Sequence, residues 1–229
     1  MQGCAVCDRP TAAPFCTDCD RQISQQTSRR APSLDQASGD LCISALGAYS
    51  GALKRAILAM KYSSRPDVAR PLGTALARHW LSQQSLSQTI RRSGGQSGHH
   101  LYAIPIPLHA GRQQSRGYNQ AALIADAFCR VSGVSLLADG LVRSQATQPQ
   151  HELGLAARQQ NLDQAFKIGA PLYKIMRRVA QRSDRAREVS VWLIDDIYTT
   201  GATAHSAVRT LEQAGVSVLG IATVARASF

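Results

Sequence analysis

An apolar run that ends in two acids and a turn of small residues is the feature that most restricts the fold of this chain. The run, VWLIDDIYTTGAT, predicts a buried strand over 191–197 that carries Asp195 and Asp196 at its carboxyl end. The amphipathic stretch after the turn predicts a helix over 202–214. In open α/β sheets ligands bind beyond the carboxyl ends of strands, so this turn is a candidate binding site.

The turn presents groups that suit a phosphate. Backbone N–H groups and hydroxyls at the start of a helix bind anions, because the donors are free and the helix dipole favours negative charge. Here they belong to Thr199, Thr200, Gly201, Ala202 and Thr203. The two carboxylates suit a different part of a ligand, since they can accept hydrogen bonds from a ribose diol or hold Mg²⁺ through water. The alternative, an ordinary strand end with a capping threonine, does not account for two adjacent acids.

The remainder of the chain has the alternation of strands and helices that is typical of a parallel sheet with right-handed crossovers. We expect helices over 51–62, 68–81 and 119–131 and strands over 101–106 and 216–225. These elements predict an α/β domain over 41–229, in which helices flank a parallel sheet. A stretch rich in Ser, Gln, Arg and Ala, residues 25–40, predicts a linker before this domain.

Four of the six cysteines form the pattern C-x2-C-x8-C-x2-C near the N-terminus, at Cys4, Cys7, Cys16 and Cys19. Two such turns supply four thiolates, the tetrahedral set that zinc accepts, and they leave no open position for a substrate. We therefore expect a structural zinc-binding knuckle over 1–24. An Fe–S cluster or a redox pair is the alternative, and the paired spacing favours zinc. Cys42 and Cys129 stand alone in apolar segments and are expected to be buried rather than ligating.

Charge and composition narrow the function classes. The 229 residues include 26 Lys and Arg and 15 Asp and Glu, which gives a formal net charge of +11. Hydrophobic residues make up 44% of the chain, and this fraction excludes a disordered tail protein. Nearly all the cations are arginines, whose forked guanidinium suits phosphates, so nucleic acid or a phosphorylated metabolite is a favoured partner. A solvated arginine surface is the alternative. The chain shows no signal-peptide pattern and no apolar run long enough to span a bilayer, so we expect a cytoplasmic protein without a membrane span.

Two basic segments are candidate contacts for anions. The segment 104–120, IPIPLHAGRQQSRGYNQ, predicts a strand and then a loop in which Arg112, Arg116 and Gly117 could clamp a pyrophosphate. A basic surface loop is the alternative there. The segment 167–188 carries seven Lys and Arg and predicts a basic helix, which suits either a nucleic-acid backbone or plain solvation.

The run 191–203 resembles the phosphoribosyl pyrophosphate (PRPP) motif of type I phosphoribosyltransferases, which has an apolar strand, two acids, two variable residues and Thr-Thr-Gly-x-Thr. The resemblance implies that Asp195 and Asp196 meet the ribose hydroxyls, that residues 199–203 cradle the 5′-phosphate, and that Mg²⁺ accompanies PRPP. Purine-salvage members of that superfamily carry an Asp base at the position of Thr199. In those enzymes this Asp accepts a proton during the reaction. Because position 199 is a threonine here, the resemblance leaves no residue for that proton transfer.

Further motifs resemble the ComF family of competence-associated proteins, which is also grouped with GntX-like proteins. The matching stretches are the four-cysteine knuckle, ALKRAILAMKY, IPIPLH, RGYNQ, a pattern R…T.PQ..L that begins at Arg143, and LIDDIYTTGAT. The resemblance implies a phosphoribosyltransferase-like fold, a pyrophosphate loop at 116–120 and a lid over PRPP at 143–166. It also implies PRPP or a related phosphorylated ribose as a ligand and single-stranded DNA as a partner.

Three functions are compatible with these residues. In the first, a ComF-type protein with a PRPP site handles incoming single-stranded DNA during natural transformation. In the second, the chain is an active phosphoribosyltransferase with an unknown acceptor, in which Asp195, Asp196 and Arg116 are catalytic while Mg²⁺ and arginines stabilise the departing pyrophosphate. In the third, a non-catalytic scaffold uses its zinc knuckle to dock a competence helicase-like or recombination-mediator protein.

Overall fold

The computed structural model describes residues 3–28, 41–83, 100–144, 165–181 and 189–227. Most of the predicted linker and of the implied lid lies outside these residues, as does the end of the basic segment. The helices are α1 (Thr17–Ser28), α2 (Gly51–Tyr62), α3 (Ala69–Ser82, after a 3₁₀ turn at Pro66–Val68), α4 (Ala110–Arg116), α5 (Gln120–Ser132), α6 (Ala170–Ala180) and α7 (Ala202–Gln213). The strands are β1 (Ile43–Ala48), β2 (His100–Pro105), β3 (Ser135–Leu136), β4 (Leu141–Arg143), β5 (Phe166–Ile168), β6 (Val189–Tyr198) and β7 (Ser217–Arg226). None of the helices in the described ranges is long and apolar enough to cross a bilayer.

Five parallel strands form the main sheet, in the order β1-β7-β6-β2-β3. β4 and β5 form a separate antiparallel pair. The predicted α/β class and the parallel sheet are therefore confirmed. β6 and β2 are neighbours in register, with Ile194 beside Pro105. Because the two strands run in the same direction, the turns that follow them leave the same edge of the sheet side by side.

Helices cover both faces of the sheet, because β6 is apolar on both of its sides. Trp192 and Ile194 pack with α2, α3 and α5 in one core, where the rings of Trp80 and Trp192 meet edge to face with centroids 5.6 Å apart. Val191 and Leu193 point the other way, into a second core shared with α6 and α7. This arrangement places the end of β6 between two helical layers.

The N-terminal module shares the first of these cores with α2 and α3. Its buried residues are Cys4, Phe15, Cys19 and Ile23. The Gln26 side chain on α1 donates to the Ser50 carbonyl at 3.2 Å and accepts from the Leu53 N–H at 3.0 Å. Farther along, the Arg65 guanidinium donates to the Gly3 carbonyl at 2.7 Å. The module is thus tied by hydrogen bonds and by a common core to both ends of α2.

Apart from the short strands β3, β4 and β5, which were not predicted, the structure differs from the sequence predictions in three places. α1 runs to Ser28, past the predicted start of the linker. The segment 110–116, predicted to be a loop, is helix α4: the His109 ring accepts from the Gly111 N–H, and Gly117 ends the helix with a φ of +80°. That prediction was wrong because the segment is polar and has no apolar periodicity. β1 was not predicted, since it is buried on both faces over most of its length and lacks alternation.

Candidate functional site

The two acids of β6 have different surroundings. Asp196 lies on the face covered by α2, where its Oδ2 is 2.9 Å from Lys61 Nζ, and only 5% of the Asp196 side chain is exposed. Asp195 lies beside Thr223 of β7 in the register of the sheet, and its Oδ1 accepts a hydrogen bond of 2.8 Å from the Asp196 N–H. Carboxylates that are adjacent in the sequence are therefore held by different partners.

The Asp195 carboxyl is strongly perturbed. Desolvation and the neighbouring Asp196 carboxylate raise the pKa of Asp195 to about 8, although the Lys61 charge acts in the opposite direction. Lys61 supplies a positive charge beside this acidic pair. Perturbed carboxyls are concentrated at functional sites, because the same desolvation strengthens their interaction with a ligand.

The turn between β6 and α7 leaves its donors accessible. Its exposed residues are Thr199, Thr200, Ala202 and Thr203. Gly201 caps α7 with a φ of +77° and has no side chain to bond the first N–H groups of the helix. The Thr200 hydroxyl oxygen, Oγ1, lies 3.5 Å from Ala202 N, which is a long contact. A Cβ at 201 would also collide with the Tyr198 hydroxyl, so both conformation and space require glycine.

The turn after β2 brings Arg116 and Tyr118 against the end of α2. The Arg116 guanidinium donates to Gln120 Oε1 at 2.6 Å and lies over the Tyr62 ring, 5.8 Å from its centroid. The Tyr118 hydroxyl donates to the Met60 carbonyl. Arg116 is therefore fixed next to the helix turn that reaches the acids of β6.

The other residues predicted for this loop have different environments. Arg112 is exposed on α4. Among the described residues, nothing lies within 4 Å of the place where a Cβ on Gly117 would stand, so the requirement for glycine there comes from its positive φ.

Arg143, at the end of β4, was named in the sequence only as the start of a family motif, and the structure makes it a candidate site residue. Its Nε is buried and has no hydrogen-bond partner among the residues described, and its guanidinium lies over the Phe166 ring at 5.3 Å. Burial and the charge of Arg112 lower the pKa of Arg143. A buried cation near a second cation is a favourable environment for an anion.

The four predicted metal ligands are brought together at the N-terminus. The sulfur atoms that lie within 4.8 Å of one another belong to Cys4, Cys7, Cys16 and Cys19. The Cys7 and Cys16 sulfurs are 3.7 Å apart, close to the roughly 3.8 Å that Zn–S bonds of ~2.3 Å impose on a tetrahedron. Burial raises the pKa of Cys4, but the N–H groups of Cys16, Val6 and Cys7 outweigh it and lower that pKa to about 6. The donor set is compatible with a structural metal site.

Comparison with known proteins finds relatives that are named for competence and DNA utilization. No protein-family model matches the chain. The chain is 26% identical to Competence protein F of Haemophilus influenzae over 226 residues, 98% of this chain and 90% of that protein. It is 23% identical to the DNA utilization protein YhgH of Escherichia coli (strain K12) over 220 residues, 95% of this chain and 87% of that protein. Competence protein ComFC of Bacillus subtilis is 29% identical over 116 residues, 51% of this chain and 40% of that protein. These similarities support the chain as a ComF family member.

In this chain, the predicted residues fall into two separate groups. The turn 199–203, the two acids and Arg116 come to one edge of the sheet, while the cysteines form their own cluster on the N-terminal module. Cys42 and Cys129 are partly buried against the first core and lie outside the cysteine cluster. Lys61 was not predicted as a site residue. The signal that could have found it is its rarity: the chain has only four lysines, and this one follows the apolar stripe of α2.

Proposed function

We propose that this ComF protein binds a phosphorylated ribose, PRPP or a close relative, together with Mg²⁺ at the carboxyl edge of β6. The observation that carries the proposal is the parallel pairing of β2 with β6, which brings the Arg116 turn beside the two acids and the exposed turn 199–203. PRPP has a ribose diol between two phosphate-bearing ends. An acidic centre between two donor-rich segments matches that distribution of groups.

In this proposal each part of PRPP meets groups of matching chemistry. The N–H groups and hydroxyls of residues 199–203 hold the 5′-phosphate at the start of α7. Asp195 and Asp196 accept hydrogen bonds from the ribose diol. Arg116 and Arg112 hold the pyrophosphate through charge-assisted hydrogen bonds. Mg²⁺, when bound, would neutralise the pyrophosphate oxygens.

Titration calorimetry with PRPP and Mg²⁺ tests this site. Asp195→Ala removes a ribose acceptor, so most of the affinity should be lost. Asp126→Asn is the matched control, because Asp126 is an exposed acid on α5 that pairs with Arg130 at 2.9 Å and takes no part in the proposed site. Unchanged affinity in Asp195→Ala would refute the assignment of β6 as the ribose site.

The second candidate function, transfer of the phosphoribosyl group, uses the same residues. An acceptor would attack the anomeric carbon of the ribose, and the bond to pyrophosphate would break, with the arginines stabilising the departing charge. The raised pKa of Asp195 favours this candidate, since a carboxyl that titrates near neutral pH can exchange protons with an acceptor. Pyrophosphate release measured over a panel of acceptors is the test. Binding of PRPP without release for any acceptor would make the site a binding site only.

We also propose that the protein acts in the uptake and handling of single-stranded DNA during natural transformation. Two of its relatives are named Competence protein F and DNA utilization protein. Helix α6 supports a DNA contact, because Lys174, Arg177 and Arg178 are exposed and the Tyr173 ring beside them is 55% exposed. Cations of this kind follow a phosphate backbone, and an exposed aromatic ring can stack on an unpaired base.

The DNA contact is tested with a charge-neutral variant of α6. Lys174→Gln/Arg177→Gln/Arg178→Gln should lower the affinity for single-stranded DNA and reduce the slope of log affinity against log salt by about 0.7 for each lost phosphate contact. The control is Arg70→Gln/Arg78→Gln, which removes two exposed arginines from α3. An α6 variant with the salt slope of the wild type would exclude this helix as the DNA contact.

We propose that the four-cysteine cluster holds one zinc ion in a structural role. Four thiolates fill the tetrahedron and leave no position for a substrate. The module contributes buried residues to the core around α2, so the metal would hold that core together rather than act on a ligand. Metal analysis of the purified protein should find one zinc per chain; iron with an absorbance typical of a cluster would contradict the assignment.

A further inference from the structure

Lys61 is more deeply placed in the site than a solvated lysine would be. It occupies the last turn of α2, and only 19% of its side chain is exposed, whereas most lysines lie in solvent. Within the described ranges, its ammonium is the cation that forms an ion pair with the acids of β6. The burial of this lysine therefore requires an explanation.

Stability alone does not explain the ion pair with Asp196. The attraction between two buried charges roughly offsets the free energy lost when both leave water, and no more. Among the described residues, the Lys61 ammonium at 2.9 Å is the group that faces the buried Asp196 Oδ2, and no further donor to that oxygen is found. A carboxylate oxygen has capacity for more than one hydrogen bond, so Asp196, at the edge of a candidate site, can accept another from a ligand.

The neighbours of Lys61 connect it to the arginine turn. Met60, the preceding residue, accepts the hydrogen bond of the Tyr118 hydroxyl. Tyr62, the following residue, lies under the Arg116 guanidinium. Lys61 therefore lies where the turn after β2 meets the acids of β6, between the groups assigned to pyrophosphate and those assigned to ribose.

We propose that Lys61 is a positioning residue of the phosphoribosyl site, which fixes the Asp196 carboxylate to accept a ribose hydroxyl and takes the place of a divalent cation at that carboxylate. Because the ammonium already lies at Asp196, Mg²⁺ would be held by the phosphate groups that arrive with the ligand rather than by this carboxylate. This inference rests on the proposed function, since it assigns a further role within the same site.

Three variants of the whole chain test the role of Lys61. Lys61→Met removes the charge and keeps the length of the side chain, and Lys61→Arg keeps the charge. Lys54→Met is the control, because Lys54 lies about two turns earlier on α2 with its Nζ over the Tyr49 ring at 5.6 Å. The affinity for PRPP is measured by calorimetry at low and at high magnesium, with a melting temperature for each variant.

We expect Lys61→Met to weaken PRPP binding about tenfold to a hundredfold at low magnesium, because the charge that fixes Asp196 is lost. At high magnesium a metal ion can replace the ammonium, so part of the affinity should return. Lys61→Arg should restore most of the affinity, and Lys54→Met should bind as the wild type does.

The outcomes separate this inference from the proposed function. A wild-type protein that does not bind PRPP would overturn the proposed function and this inference with it. A wild type that binds, with a folded Lys61→Met variant of equal affinity, would overturn the role of Lys61 alone. A loss in Lys61→Met that neither arginine nor magnesium reverses would show a structural role and would also overturn the inference.

Discussion

Replacing the charge of Asp195 should stabilise the ligand-free protein. Asp195→Asn keeps the size of the side chain and the Oδ1 atom that accepts from the Asp196 N–H at 2.8 Å. The change therefore removes an acid whose ionisation the folded state disfavours, and little else. Most substitutions destabilise a protein. A higher free energy of unfolding in Asp195→Asn would therefore be specific evidence that this acid is kept for function although it destabilises the fold.

The magnitude follows from the pKa. The ordinary value of 3.8 rises to about 8 in the folded chain, so the folded state binds this proton more tightly than the unfolded state does. The carboxyl therefore destabilises the fold increasingly as the pH rises from about 4 to about 8. Between about pH 6 and pH 9 the free energy of unfolding should fall by roughly 2–3 kcal/mol more in the wild type than in Asp195→Asn. Other titrating groups are common to both proteins and cancel in the difference.

Urea unfolding of both proteins at the two pH values, without ligand or Mg²⁺, measures this difference. Substitution of the neighbouring acid, Asp196, is the control, because it is expected to change the stability in the opposite direction. Asp196→Asn leaves the Lys61 ammonium without its carboxylate, so it should destabilise by about 2 kcal/mol. The reasoning would be refuted if Asp195→Asn had the same pH dependence as the wild type, or if both variants changed stability in the same direction.

Three further predictions concern other parts of the site. Gly201→Ala should lower the free energy of unfolding by about 1–2 kcal/mol because of the left-handed backbone, and by more because the new Cβ contacts Tyr198. The loss measured by urea unfolding should therefore be smaller in a Tyr198→Phe background. Arg116→Met should weaken PRPP binding more than ribose 5-phosphate binding, because only PRPP carries the pyrophosphate; equal losses in competition calorimetry would contradict this. Removal of the metal by a strong chelator should lower both the melting temperature and the PRPP affinity, because the cysteine module shares a core with α2; an unchanged melting temperature would contradict a structural metal.

Local patterns were sufficient to predict the framework of the fold. The periodicity of α2 gave its bounds of 51–62, and the run from β6 into α7 was predicted from apolar residues and a turn. β1 was missed because a strand buried on both faces has no period of two. α4 was missed because its residues are polar and its ends depend on a histidine cap and a glycine.

The site was predictable only where its residues lie in one continuous motif. Asp195, Asp196 and the turn after them are adjacent in the chain, so their chemistry can be seen in the sequence. The ion pair of Lys61 with Asp196 joins residues that are far apart in the chain, and only the packing of α2 on β6 brings them together. The raised pKa of Asp195 likewise depends on desolvation, which is a property of the packed structure.

The most direct test of the central claim is a calorimetric competition on the wild-type protein with Mg²⁺. We expect PRPP to bind to one site per chain, and ribose 5-phosphate and pyrophosphate each to compete with it more weakly, since each occupies one half of the site. An absence of PRPP binding, or binding that neither ribose 5-phosphate nor pyrophosphate displaces, would contradict a phosphoribosyl site at the end of β6.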